Sequence, residues 1–143
     1  MKLSTRSRYG TRILLELARH PEDEPVQVSE IARVQKIPVK YVEQLIRPLK
    51  SAQMIKSVRG SKGGHRLNKS AAEITVGQIV RLFEGQTDLV ECVSAPDRCP
   101  RSPECRVRDV WIEATEAMYE KLDGVTIADL IKQAKTPFTH TKC

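Results

Sequence analysis

The stretch from Met54 to Asn68 constrains this chain most. Two short runs of β character, Met54-Ile55-Lys56-Ser57-Val58-Arg59 and His65-Arg66-Leu67-Asn68, flank the turn Gly60-Ser61-Lys62-Gly63-Gly64. Glycine permits positive φ at a tight tip, so the two runs read as a hairpin. Three helical patterns precede it. In the first, Tyr9, Ile13, Leu14, Leu17 and Ala18 form an apolar stripe that ends before Pro21 and the polar run to Pro25. The second is short, with Ser29 as its expected N-cap and Ile31 and Ala32 inward, entered through an extended Val26-Gln27-Val28. The third starts at Pro38 and runs to about Ala52, with Val42, Leu45, Ile46 and Leu49 at i, i+3, i+4, i+7. Pro48 lies inside it and should bend it, because it cannot donate to the Gln44 carbonyl. Three helices followed by a basic hairpin is the order of a winged helix-turn-helix. The expected fold class is therefore mainly α with a small β-hairpin wing.

Charge sharpens this reading. Residues 1–70 hold 15 Lys/Arg against 6 Asp/Glu, net +9, and residues 71–143 hold 9 against 12, net −3. The formal charge of +6 is thus carried by the half that contains the hairpin. A basic unit of this size suits nucleic acid. The unburied face of the third helix offers Tyr41, Glu43, Gln44 and Arg47, side chains able to hydrogen-bond base edges in a major groove. Arg59, Lys62, His65 and Arg66 surround the hairpin tip, placed to follow phosphates or enter a minor groove. The partner implied is double-stranded DNA.

The second half begins with a capping box, Thr75 with Gln78, ahead of the stripe Val76, Ile79, Val80 and Phe83. From Glu84 to Pro103 no period is visible, and this loop carries Pro96, Pro100 and Pro103. A long helix is expected from about Glu104 to Leu122, with Val107, Val110, Trp111, Ala114, Ala117 and Met118 inward. That stripe is too apolar to stand beside so small a domain uncovered, which implies a two-fold homodimer. Thr126 and Asp129 should cap a final helix carrying Ile127, Leu130 and Ile131. The expected organisation is a winged domain at 1–83, a cysteine-containing sensor loop at 84–103, dimerisation helices at 104–136 and a tail at 137–143.

Nothing in the sequence resembles a signal peptide or a membrane-spanning run, so a cytoplasmic protein is expected. Three of the four cysteines fall as Cys92-x6-Cys99-x5-Cys105, and Cys143 follows in the tail. Zinc sites usually show paired C-x2-C knuckles, which are missing here. Three spaced thiols suit an iron–sulfur cluster whose fourth ligand comes from elsewhere. Arg98, Arg101, Arg106 and Arg108, with the start of a helix at Cys105, favour thiolates. Two other readings stay open: thiols that sense oxidants by forming disulfides without a cluster, and a small Zn-binding adaptor or metalloenzyme. His20, His65 and His140 neighbour no triad partner, and the glycines precede no helix, so an enzyme is not expected.

Several motifs together resemble the IscR/NsrR-type winged-helix regulators, bacterial repressors and activators, many of which sense through an iron–sulfur cluster. They are Leu3-Ser4-Thr5-Arg6-Ser7-Arg8-Tyr9-Gly10, Tyr41-Val42-Glu43-Gln44-Leu45, Ser57-Val58-Arg59-Gly60-Ser61-Lys62-Gly63-Gly64-His65 and Thr75-Val76-Gly77-Gln78-Ile79. The resemblance spans roughly residues 1–135. It implies that Tyr41, Glu43 and Gln44 meet bases, that Arg59 meets a minor groove, and that Cys92, Cys99 and Cys105 ligate a two-iron or four-iron cluster. It further implies a helix from about residue 104 that pairs two chains on a palindromic operator. The first cysteine spacing is one residue longer than the commonest in that family. Arg108 stands where some members have a ligating His, and Arg8 where others have an acidic ligand. The fourth ligand is left open among Glu91, Glu104, Asp109, His140, Cys143, water and a small thiol.

Overall fold

Ser4 starts the first helix: its hydroxyl accepts from the Ser7 N–H, and α1 runs Thr5–Ala18. The computed structural model describes residues 2–133. The order continues with α2 (Val28–Gln35), α3 (Val39–Ser51), β1 (Ile55–Val58), β2 (Gly64–Leu67) and α4 (Val76–Glu84). Then come a single turn of helix, α5 (Glu91–Ser94), two 3-10 turns at Pro96–Arg98 and Ser102–Glu104, the long α6 (Arg106–Asp123), and α7 (Ile127–Gln133). Among the described residues no helix is long and apolar enough to cross a membrane.

The core is assembled from the stripes the sequence displays. Ile13 and Leu14 of α1, Ile31 of α2, Val42, Leu45 and Leu49 of α3, Ile55 of β1 and Ile79 of α4 are almost wholly buried. Removing such side chains from water is the main favourable term. Lys36 ends α2 in the left-handed region at φ 53°, and the Ile37 N–H reaches back to the Ala32 carbonyl, so the chain turns sharply into α3. The wing is an antiparallel pair with Ile55 opposite Leu67 and Val58 opposite Gly64. Gly60 turns its tip at φ 118°, which an L side chain would resist. Val26 adds a third short rung by exchanging both backbone hydrogen bonds with His65, each at 2.8 Å.

Several expectations are corrected. The N-cap of α2 is Gln27, not Ser29, because the chain leaves the Val26 bridge and enters the helix at once. Pro38 caps α3 with extended backbone instead of occupying its first helical position. The stretch 84–103 is not structureless: α5 and the 3-10 turns fold it locally, with Pro96 and Pro103 at their starts. In α6 the apolar stripe does not face inward. Val107, Val110 and Trp111 are exposed, and Thr115 is the helix's one buried residue. Helix α7, grouped by sequence with α6, instead closes the first core: Ile127 is fully buried against it and its N–H donates to the Ile74 carbonyl. Part of the dimerisation segment and all of the expected tail, with His140 and Cys143, lie outside the described residues.

The end of α4 is fastened to the start of α1 by one carboxylate. Glu84 Oε1 accepts from the Ser4 N–H at 2.9 Å, from the Ser4 hydroxyl at 2.6 Å and from the Ser7 hydroxyl. These donors, the Ser4 and Ser7 side chains foremost, hold the Glu84 carboxyl below the usual carboxylate range. A depressed native pKa contributes stability that is complete above the ordinary value and is lost as pH falls through the native one. Glu84→Gln should therefore cost about 1–2 kcal/mol at neutral pH. The gap between variant and wild type, followed by urea denaturation across pH, should close as pH drops below the ordinary glutamate value of 4.5.

Candidate nucleic-acid interface and cysteine segment

Helix α3 divides its side chains cleanly. With Val42, Leu45, Ile46 and Leu49 buried, Glu43, Gln44 and Arg47 project as an exposed row. Tyr41 is half-buried, its ring edge-on to Tyr9 at 5.9 Å between centroids, so only part of it is available to a ligand. Arg59 and Lys62 stand exposed at the wing. His65 does not join them at the tip. It sits in β2, half-buried, and its backbone holds the Val26 rung. Burial first, then the nearby Lys50 charge, pushes its pKa down, which disfavours the charged ring. Arg66 is turned away to the Glu22 carbonyl at 2.6 Å.

Behind this face, α6 is seated on α4. Arg81 gives a two-pronged hydrogen bond to Asp123, at 2.6 and 2.7 Å, and its guanidinium lies 4.3 Å from the Tyr119 ring centroid. The pairing holds Asp123 below the usual carboxylate range. Tyr119 also shares a hydrogen bond with the Thr87 hydroxyl at 2.9 Å. Gly77 makes room for this: a Cβ there would overlap the Asp123 carboxylate. Sequence reasoning missed this lash. Its only trace was the spacing of Tyr119 and Asp123, which puts both on one side of a helix.

The cysteines lie on separate turns of the joining segment. Cys92 is in α5, Cys99 follows the first 3-10 turn, and Cys105 is the N-cap of α6. All three are free and part-exposed. Among the described residues no three His, Cys, Asp or Glu side chains are gathered as a metal would need, so the expected trio is not brought together. Of the proposed fourth ligands, Glu91 is engaged by Arg98, and Glu104 and Asp109 are exposed. Arg108 ties the segment instead: its Nε donates to the Cys92 carbonyl at 2.9 Å and Nη2 to that of Val93 at 3.4 Å.

A family profile described as Rrf2, iron-dependent transcriptional regulator, matches residues 3–133. The chain belongs to the Rrf2 family. It is 47% identical over 134 residues to the protein rrf2 of Nitratidesulfovibrio vulgaris, covering 94% of this chain and 89% of that one. The structure of CymR, the global cysteine regulator of B. subtilis, superposes with a TM-score of 0.78 at 35% identity, covering 92% of this chain and 97% of that one. T. potens IscR does so with a TM-score of 0.76 at 34% identity, covering 94% and 88%. This Rrf2 chain is thus a transcription regulator with a winged helix-turn-helix and not an enzyme, which also sets aside the adaptor and metalloenzyme readings.

The seat of α6 can be tested directly. Gly77→Ala should cost about 1–3 kcal/mol, because the added methyl displaces Asp123. Arg81→Ala, which removes a part-exposed ion pair, should cost only about 1 kcal/mol. Urea denaturation that ranks the two the other way would show that the overlap at Gly77 is relieved without breaking the pair.

Proposed function

We propose that this Rrf2 regulator binds a palindromic operator as a homodimer and that an iron–sulfur cluster held by Cys92, Cys99 and Cys105 sets its operator affinity. The observation that carries the reading is the position of the thiols. Three free cysteines occupy the segment that links the winged domain to α6, and one of them caps α6 itself. The donor set suits the group: three soft thiolate ligands with Arg98, Arg101, Arg106 and Arg108 beside them to offset negative charge. A bound cluster supplies iron and sulfide chemistry that responds to oxidants and to iron supply. The chain's own part is mechanical. Cys92, Cys99 and Cys105 would hold the cluster and so would tie α5 and both 3-10 turns to the start of α6, which Arg81 and Asp123 join to α4. On the DNA side, Gln44, Glu43 and Arg47 read bases with the exposed part of Tyr41. Arg59 enters a minor groove, Lys62 contacts phosphate, and His65 holds the wing in register.

A second reading is favoured by the spread of the thiols. Cysteines on separate turns suit exchange chemistry at single sulfurs, with disulfide formation as the signal and no cluster.

Three measurements test these assignments. Cys92→Ala, Cys99→Ala and Cys105→Ala should each lose most of the iron taken up on anaerobic reconstitution while far-ultraviolet dichroism is unchanged. A wild-type chain that takes up no iron and sulfide refutes the cluster and leaves the thiol reading. In salt titrations of operator binding, Arg59→Ala should lower the slope by about one. Gln44→Ala should cost about 1–3 kcal/mol at one base position and little elsewhere. Trp111→Glu, placed in the exposed stripe of α6, should give monomers in sedimentation analysis and abolish operator binding. A wild-type monomer at micromolar concentration would refute the dimer.

A further inference from the structure

Among the described residues five large apolar side chains stand exposed, and they fall in two groups. Val107, Val110 and Trp111 form the stripe of α6. Val34, 38% exposed, and Val39, 46% exposed, flank the turn from α2 to α3. Neither valine belongs to the hydrophobic core. A lone apolar residue on a surface needs no partner, but Val39 stands at a particular place. It is the first residue of α3 and the one apolar side chain among the exposed residues of that helix. It lies one turn before Glu43 on the same flank, at the edge of the row formed by Glu43, Gln44 and Arg47. Its backbone is fixed from both sides. The Ile37 N–H donates to the Ala32 carbonyl and the Val42 N–H to the Pro38 carbonyl, each at 3.0 Å. Arg12 holds the end of α2 in addition, its Nε donating to Gln35 Oε1 at 3.0 Å. Valine in a helix keeps essentially one χ1 rotamer. Two methyl groups are thus presented at a set position, with little side-chain entropy to lose on contact.

In a helix-turn-helix the first residues of the second helix meet base edges in the major groove. Thymine alone presents an apolar group there, its 5-methyl. A valine set against the amino group of adenine or cytosine would strip it of water and return no hydrogen bond. We propose that Val39 is a specificity-determining residue that packs on the 5-methyl group of an operator thymine. Four residues separate Val39 from Glu43, about 6 Å along the helix, so that thymine lies about two base pairs from the pair that Glu43 meets. Glu43, Gln44 and Arg47 read by hydrogen bonds, which do not register a methyl group. Val39 adds the one contact that does. The proposal rests on the reading of α3 as the base-contacting helix and names a further residue of it, with the chemical group that residue selects.

The test uses the full chain and the duplex that it selects from a randomised pool. Each thymine of one half-site is replaced in turn by deoxyuridine, which pairs in the same way and lacks only the 5-methyl. At one thymine, within about two base pairs of the position where Glu43→Ala changes the base preference, the replacement should weaken binding about fourfold, the worth of one buried methyl group. In Val39→Ala the same replacement should change nothing. That variant should bind the thymine duplex several-fold more weakly than wild type and the deoxyuridine duplex about equally well. Alanine suits the start of a helix and Val39 is no part of the core, so the variant should fold, and urea denaturation checks this. A deoxyuridine penalty at no thymine, or one that survives Val39→Ala, overturns the proposal. If Gln44→Ala still relaxes one base position on that duplex, the reading of α3 stands without it. A chain that selects no duplex overturns both.

Discussion

Arg81 decides where the long helix stands. Helix α6 buries a single side chain, so little hydrophobic burial fixes its position on the rest of the molecule. What fixes it is the fork of Arg81 on Asp123, the stacking on Tyr119, and the missing Cβ at Gly77 that lets the carboxylate approach. One turn further along the same short helix, α4, Glu84 binds the start of α1. α4 is thus a strut with two polar fastenings, one toward α1 and one toward α6. Polar fastenings have defined donor–acceptor geometry and so fix the angle at which the helices meet.

The cysteine segment meets α6 through hydrogen bonds of the same kind. Thr87 reaches Tyr119, the Leu89 N–H reaches the Thr115 hydroxyl, and Arg108 holds the carbonyls of α5. Each contact joins the segment 85–95 to α6, and Cys105 stands at the N-cap of α6 itself. A route of packed, two-ended contacts of this sort can carry coupling between a ligand site and a distant binding face.

What was legible in the sequence follows burial. The helices α1, α3 and α4 carry apolar side chains at helical spacing, and Val42, Leu45, Ile46 and Leu49 fell inside as their spacing required. The Thr75–Gln78 capping box and the Thr126–Asp129 cap were readable because each is local to one turn. The stripe of α6 was readable but not its direction within the chain: Val107, Val110 and Trp111 stand away from the core, since an apolar stripe says that something covers it and not whether that cover is the same chain. α7 was assigned to the wrong neighbour because its contacts with Ile74 and α1 join residues far apart in sequence. His65 looked like a wing cation. Its role came from the Val26 rung, a pairing that no pattern within the hairpin encodes.

The seat of Ile127 has a consequence for how the molecule is made. The core that supports the DNA-facing helices is finished by a residue 44 positions beyond Phe83, the last core residue of α4, with the cysteine segment and α6 strung between them. A ribosome releases the chain in order, so the winged domain emerges with an open flank beside Ile74 and waits until α7 follows. During that interval the thiols of the segment are outside the tunnel while the fold above them is still incomplete. The winged core is therefore complete only once the chain has been released through Ile127, and its stability cannot be reached before that point.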